Sequence, residues 1–134
     1  MFADRYQDVL CFQEILSADA TRAMGRAEGA IRVESVDVFN ASTLATHATN
    51  YVTFKVINLG TNASGTTVIA TASTSQTTGS AMTANVAFPL TVTASAADVA
   101  AGETIGFIYD EATTDVANSH PINVVVRYTQ IGPA

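Results

Sequence analysis

Asp110, Glu111 and Asp115 fall within six consecutive residues and form the densest group of acids in the chain. A calcium ion takes six to eight oxygen ligands, which a carboxylate-rich loop can supply, but this spacing does not follow the ligand pattern of an EF-hand. Solvated acids in a loop explain the cluster without an ion. His47 and His120 lie far apart, His47 among Thr and Ala residues and His120 before Pro121. Neither has a companion at the spacing of a zinc site, so both read as structural or surface residues. Cys11 stands between Leu10 and Phe12, where no base or positive charge would activate a thiolate. It reads as a small apolar space-filler. No glycine-rich phosphate loop follows a strand, and there is no Gly-x-Ser-x-Gly elbow. The expectation is a non-enzyme with no catalytic residues, no metal and no cofactor.

The elements that position these residues come from a chain of 134 residues, of which 48% are hydrophobic and 13% charged. That length supports one self-sufficient core without disulfide or metal staples. Six basic residues against twelve acidic ones give a net charge of -6, which offers no positive stripe to neutralise phosphates. Nucleic acid is therefore not an expected partner. The single cysteine and the charged first twenty residues indicate synthesis in a reducing cytoplasm. No stretch reaches the roughly 18 apolar residues of a membrane-spanning helix, and no membrane partner is expected.

Charge divides the chain in two. Residues 1–32 carry nine charged side chains, whereas between residues 41 and 109 only Lys55, Asp98 and Glu103 are charged. Thr, Ser, Ala, Asn and Gly fill that second stretch, a composition that disfavours helix and solvates a sheet through hydroxyls. Alternation predicts strands over 51–59, with Val52, Phe54 and Val56 on one face, over 86–94, and over 122–129 with Ile122, Val124, Val126 and Tyr128 inward. Ile105, Phe107 and Tyr109 mark a shorter strand, and 66–74 a weaker one. Pro89 cannot donate to a ladder, which places its strand at an edge or a bulge. In 31–40 the parity changes between Val33 and Val36, so a β-bulge near Ser35 would turn Ile31, Val33, Val36 and Val38 all inward. Residues 97–103 read as a turn in which Val99 plugs the end of the sandwich and Gly102 takes a positive φ. The predicted fold is all-β, an antiparallel β-sandwich or jelly-roll-like domain over residues 30–134.

Residues 1–29 form an N-terminal arm. Phe2, Tyr6, Val9, Leu10, Phe12, Gln13 and Leu16 partly fit a helical stripe, so the arm is expected to be partly helical. So short a helix must dock on its own domain or on another chain. Phe2, Tyr6, Leu10 and Phe12 are the expected anchors on a neighbouring subunit or a platform protein, because four large apolar groups on a short terminal segment demand burial. On this reading, removing residues 1–16 leaves a folded sandwich.

The run over 31–54, with Asn50-Tyr51-Val52-Thr53, is followed by Phe88-Pro89-Leu90-Thr91, by Asp98-Val99-Ala100-Ala101-Gly102-Glu103 and by Ile122-Asn123-Val124-Val125-Val126-Arg127-Tyr128. This order of strands and turns resembles the small β-sandwich head decoration, or cement, proteins encoded beside the capsid genes of tailed bacteriophages. The resemblance spans about 100 residues and leaves out the first 29. It implies a structural virion protein on the capsid exterior, often a homotrimer at local threefold positions, with the major capsid protein as partner. A second reading is a tail- or fibre-associated β-sandwich that binds sugars or receptors through its Thr/Asn/Ser loops. The chain has no Trp to serve as an aromatic platform for a sugar.

Overall fold

A computed structural model describes residues 7–112 and 120–132. The strands are β1 (Gln7–Leu16), β2 (Ala20–Arg26), β3 (Ile31–Asn40), β4 (Val52–Gly60), β5 (Thr67–Ser73), β6 (Phe88–Val92), β7 (Asp98–Val99), β8 (Thr104–Glu111) and β9 (His120–Gln130). All pairings between named strands are antiparallel, in the order β1-β9-β3-β6-β5-β4-β8-β2, and β7 adds to β3. The domain is an all-β, jelly-roll-like sandwich that is almost closed on itself.

Strand β6 joins the two layers. Phe88, Pro89 and Leu90 pair with β3, and Thr91 and Val92 pair with β5. Pro89 stands opposite Asp37 and has no partner on β5, so its missing N–H breaks no ladder there. The proline thus marks a strand that changes sheets rather than an edge. Only residues 88–92 of the expected 86–94 form the paired strand. Upstream, Asn85 takes a φ of 60° and donates its N–H to the Asn40 carbonyl, which leaves Val86 exposed.

The core lies between the layers. Val36, Val38, Val124 and Val126 face Phe54, Val56, Phe107 and Tyr109, and each of these is at most 1% exposed. The Phe54 ring meets Phe88, Phe107 and Tyr109 with centroids 5.9 to 6.2 Å apart. Burying side chains of this size from both sheets is the main stabilising term of such a fold.

The bulge predicted near Ser35 is present. The register between β3 and β9 shifts between Val33 and Ser35, and Ile31, Val33, Val36 and Val38 are all buried. The turn is present as well: Val99 is buried and Gly102 has φ of +87°. Glu103 Oε1 holds that turn by accepting from the Ala100 N–H at 2.7 Å and the Asn58 amide at 3.1 Å.

The helix expected in residues 1–29 is corrected. From Gln7 onward the segment is two strands: β1 pairs with β9 and β2 with β8, with β2 bulged between Ala23 and Gly25. Leu10, Phe12 and Leu16 share parity as well as helical spacing, and the partners that decide between the two lie about a hundred residues away. Tertiary pairing outweighs the weak local preference.

Candidate functional site

Among the described residues the groups with chemical potential do not converge. Asp110 and Glu111 are successive residues of β8, so their side chains leave opposite faces of the strand. Asp115 lies outside the described residues. The Glu111 N–H instead donates to Asp19 Oδ1 at 2.7 Å, tying the end of β8 to the β1–β2 link. Burial, reinforced by the Glu111 and Asp19 carboxylates, pushes the Tyr109 phenol above its ordinary range. His47 serves its own loop: its Nδ1 accepts from the N–H groups of Thr49 at 3.1 Å and Asn50 at 2.8 Å. His120 pairs with Leu16 elsewhere in the sandwich. Among the described residues, no group of three or more His, Cys, Asp or Glu is placed to hold a metal.

Of the four expected anchors, Phe2 and Tyr6 lie outside the described residues. Leu10 and Phe12 face inward from β1 and pack on the chain's own core, with the Phe12 ring 5.9 Å from Phe107. Their partners in the structure are residues of the same chain. Strand alternation turns Val9, Cys11, Gln13 and Ile15 the other way. Cys11, expected as a buried space-filler, is accordingly exposed. Val9 is 45% and Ile15 68% exposed. The signal for this outward row was the same alternation that places Leu10, Phe12 and Leu16 inside, hidden by the helical reading.

Across the outer face of that sheet runs a shallow depression of about 570 Å³, lined by Cys11, Gln13, Phe39, Asn123 and Val125 among others. At one end, Arg127 and Asp37 neutralise each other at 3.1 Å. Tyr51, Thr53, Thr71, Ser73, Pro89 and Thr91 line a hydroxyl-rich hollow of about 640 Å³, and Pro89 at its margin stands opposite Asp37 on β3. A smaller cleft of about 300 Å³ opens at the sandwich end beside Asp8, Arg26, Glu28 and Tyr128. None of the three gathers groups fitted for bond-making chemistry.

No protein-family model matches the chain. No curated protein matches it by sequence. Solved structures do: a chain of the cyanophage Pam1 capsid asymmetric unit superposes with a TM-score of 0.52 at 14% identity, covering 96% of this chain and 86% of that one. A chain of infectious bursal disease virus, Gx strain, aligns with a TM-score of 0.41 at 9% identity, covering 96% of this chain but only 33% of the viral one. At such identities the likeness concerns fold, and the chain shares its architecture with a chain of a phage capsid assembly.

Proposed function

We propose that this chain is a structural virion protein that binds the outer surface of a phage capsid and cements adjacent major capsid subunits. The observation that carries this reading is the shared fold, which takes in nearly the whole of this chain and most of a chain from a phage capsid asymmetric unit. The order of strands and turns in the sequence supports the same reading. A cement protein acts by fit. Each contact with the shell can be weak, because linked sites on one particle raise the effective concentration and multiply avidity by about 10² to 10⁴. The net charge of -6 keeps free copies from associating indiscriminately before they reach the shell.

The test is co-sedimentation of the purified chain with empty heads built from the major capsid protein. Saturable binding at a fixed ratio to capsid subunits is expected. A chain that stays in the supernatant but binds a glycan array would transfer the reading to a tail or fibre module.

A further inference from the structure

We infer that β1 is an interface strand, whose free edge pairs antiparallel with the β1 edge of a second copy of this chain about a two-fold axis at Phe12. Among the described residues the strand order ends at β1 and at β2, with no further strand on the outer edge of either, and the two ends are unlike. β2 is guarded: its register breaks between Ala23 and Gly25, and it carries Arg22 and Arg26. β1 matches β9 residue for residue over all ten positions, with no bulge, no proline and no basic side chain; its two acids, Asp8 and Glu14, stand on the inward row, and Glu14 is neutralised by Arg22. Its outward row, Val9, Cys11, Gln13 and Ile15, is uncharged. Sheet edges left flat, long and apolar are those that recruit another strand, and natural monomers blunt them.

Backbone geometry selects the register. The Val9 N–H donates to Asp8 Oδ1 at 2.8 Å, so it is turned away from β9. Alternation along the strand then directs the N–H and C=O groups of Cys11, Gln13 and Ile15 to the free edge as well. Two identical strands can bond only if these odd-numbered residues oppose one another, which centres the axis on Cys11, Phe12 or Gln13. A centre at Cys11 sets Asp8 against Glu14 of the partner subunit twice over, on one face, and like charges directly opposite are destabilising. A centre at Gln13 runs Val9 past the end of the partner strand. A centre at Phe12 sets Val9 against the partner's Ile15 and Cys11 against the partner's Gln13, each twice. In that register Asp8 yields the Val9 N–H to the carbonyl of the partner's Ile15. The contact is isologous and closes as a dimer. It stands apart from the capsid reading, because it is measured with no shell present.

The experiment combines mass, edge substitution and disulfide trapping on the full chain. Native mass spectrometry is expected to give twice 13.9 kDa. The double variant Val9→Lys/Ile15→Lys is expected to keep the far-ultraviolet spectrum of a folded sandwich and to weaken dimerisation by at least about tenfold. Mixing the unsubstituted chain with Cys11→Ser/Gln13→Cys under mild oxidation is expected to give a mixed disulfide dimer that neither chain gives alone, since opposed residues in a ladder lie about 5.5 Å apart. A trimer, or a dimer indifferent to the lysines and to the trap, overturns the inference. So does a monomer, and a monomer whose binding to heads is abolished by the lysines would identify the strand's partner as capsid protein instead.

Discussion

Arg22 on β2 donates its Nε–H to Glu14 on β1, at 2.8 Å from Oε2, across the gap between the two end strands of the sandwich. Glu14 occupies an inward position between Phe12 and Leu16, and the guanidinium lets a carboxylate stand at the lip of the core. Both side chains are about a third or more exposed, so the pair contributes little to stability. Arg22→Ala should cost about 0.5 kcal/mol in urea unfolding, and less at high salt. Phe12→Ala, which empties the space beside Phe107, should cost about 2 kcal/mol or more. Equal costs would mean that the seam is held by charge.

Truncation gives a sharper test of the same strand. The arm reading expects a folded remainder after loss of residues 1–16. The structure reverses that expectation, because β1 covers Phe107 and buries Leu16 at 3% exposure. The shortened chain should lose its cooperative thermal transition. A transition at an unchanged temperature would return the segment to the status of an appendage.

Gly106 in β8 lies under Leu59. A methyl group there would sit 2.6 Å from Leu59 Cδ1 and 3.2 Å from the Arg22 carbonyl oxygen. Gly106→Ala should destabilise the fold by about 1 to 3 kcal/mol. The companion variant Gly106→Ala/Leu59→Ala should show whether Leu59 is the obstacle, by costing less than the sum of the single changes.

The 97–103 turn separates backbone strain from a lost acceptor. Gly102→Ala meets no atom within 4 Å, so its cost of about 1 kcal/mol should come from the positive φ alone. Glu103→Ala leaves the Ala100 N–H without its acceptor and should cost about as much. Hydrogen exchange at Ala100 distinguishes the two, rising only in the second variant.

Two groups are displaced from their ordinary pKa values and so make stability depend on pH, with opposite signs. Hydrogen bonding to Arg32 holds the Asp98 carboxyl below its ordinary value of 3.8. Its contribution is present above that value and lost as pH falls through the lower, folded one, so Asp98→Asn should flatten the acid limb of the stability curve. The raised Tyr109 phenol gives the alkaline limb. Its contribution is full below about pH 10, where an unfolded tyrosine ionises, and declines above it. Tyr109→Phe should flatten the loss of stability above pH 10, and an unaltered slope would remove Tyr109 as its source.

What was legible in the sequence depended on what enforced the alternation. Where the inward positions are almost all apolar, as in 122–129 and in 31–40 up to the buried Asn40, parity alone located the strands and even the bulge after Val33. In 7–16 the inward positions include Asp8 and Glu14, which mask the period; Asp8 is explained by a local bond from the Val9 N–H, and Glu14 by a partner on β2 that only the tertiary fold supplies. Ile57 and Leu59 were missed as buried residues for a related reason. They lie on the outer face of β4, at 4% and 7% exposure, because Gly106 lets Leu59 lie flat across β8. The candidate surface was legible only in type, as apolar groups near the N-terminus. Which of them face outward waited on the choice between strand and helix.

The pairing of β1 with β9 also has a consequence for the time course of biosynthesis. The ribosome makes residues 7–16 early, but the partners over 120–130 emerge near the end of translation. At roughly 5 to 20 residues per second, the nascent segment waits on the order of ten seconds with Leu10, Phe12 and Leu16 uncovered. Each polypeptide therefore passes its youth as an unmatched ribbon, and a crowded polysome producing many copies at once is where wrong neighbours would first meet.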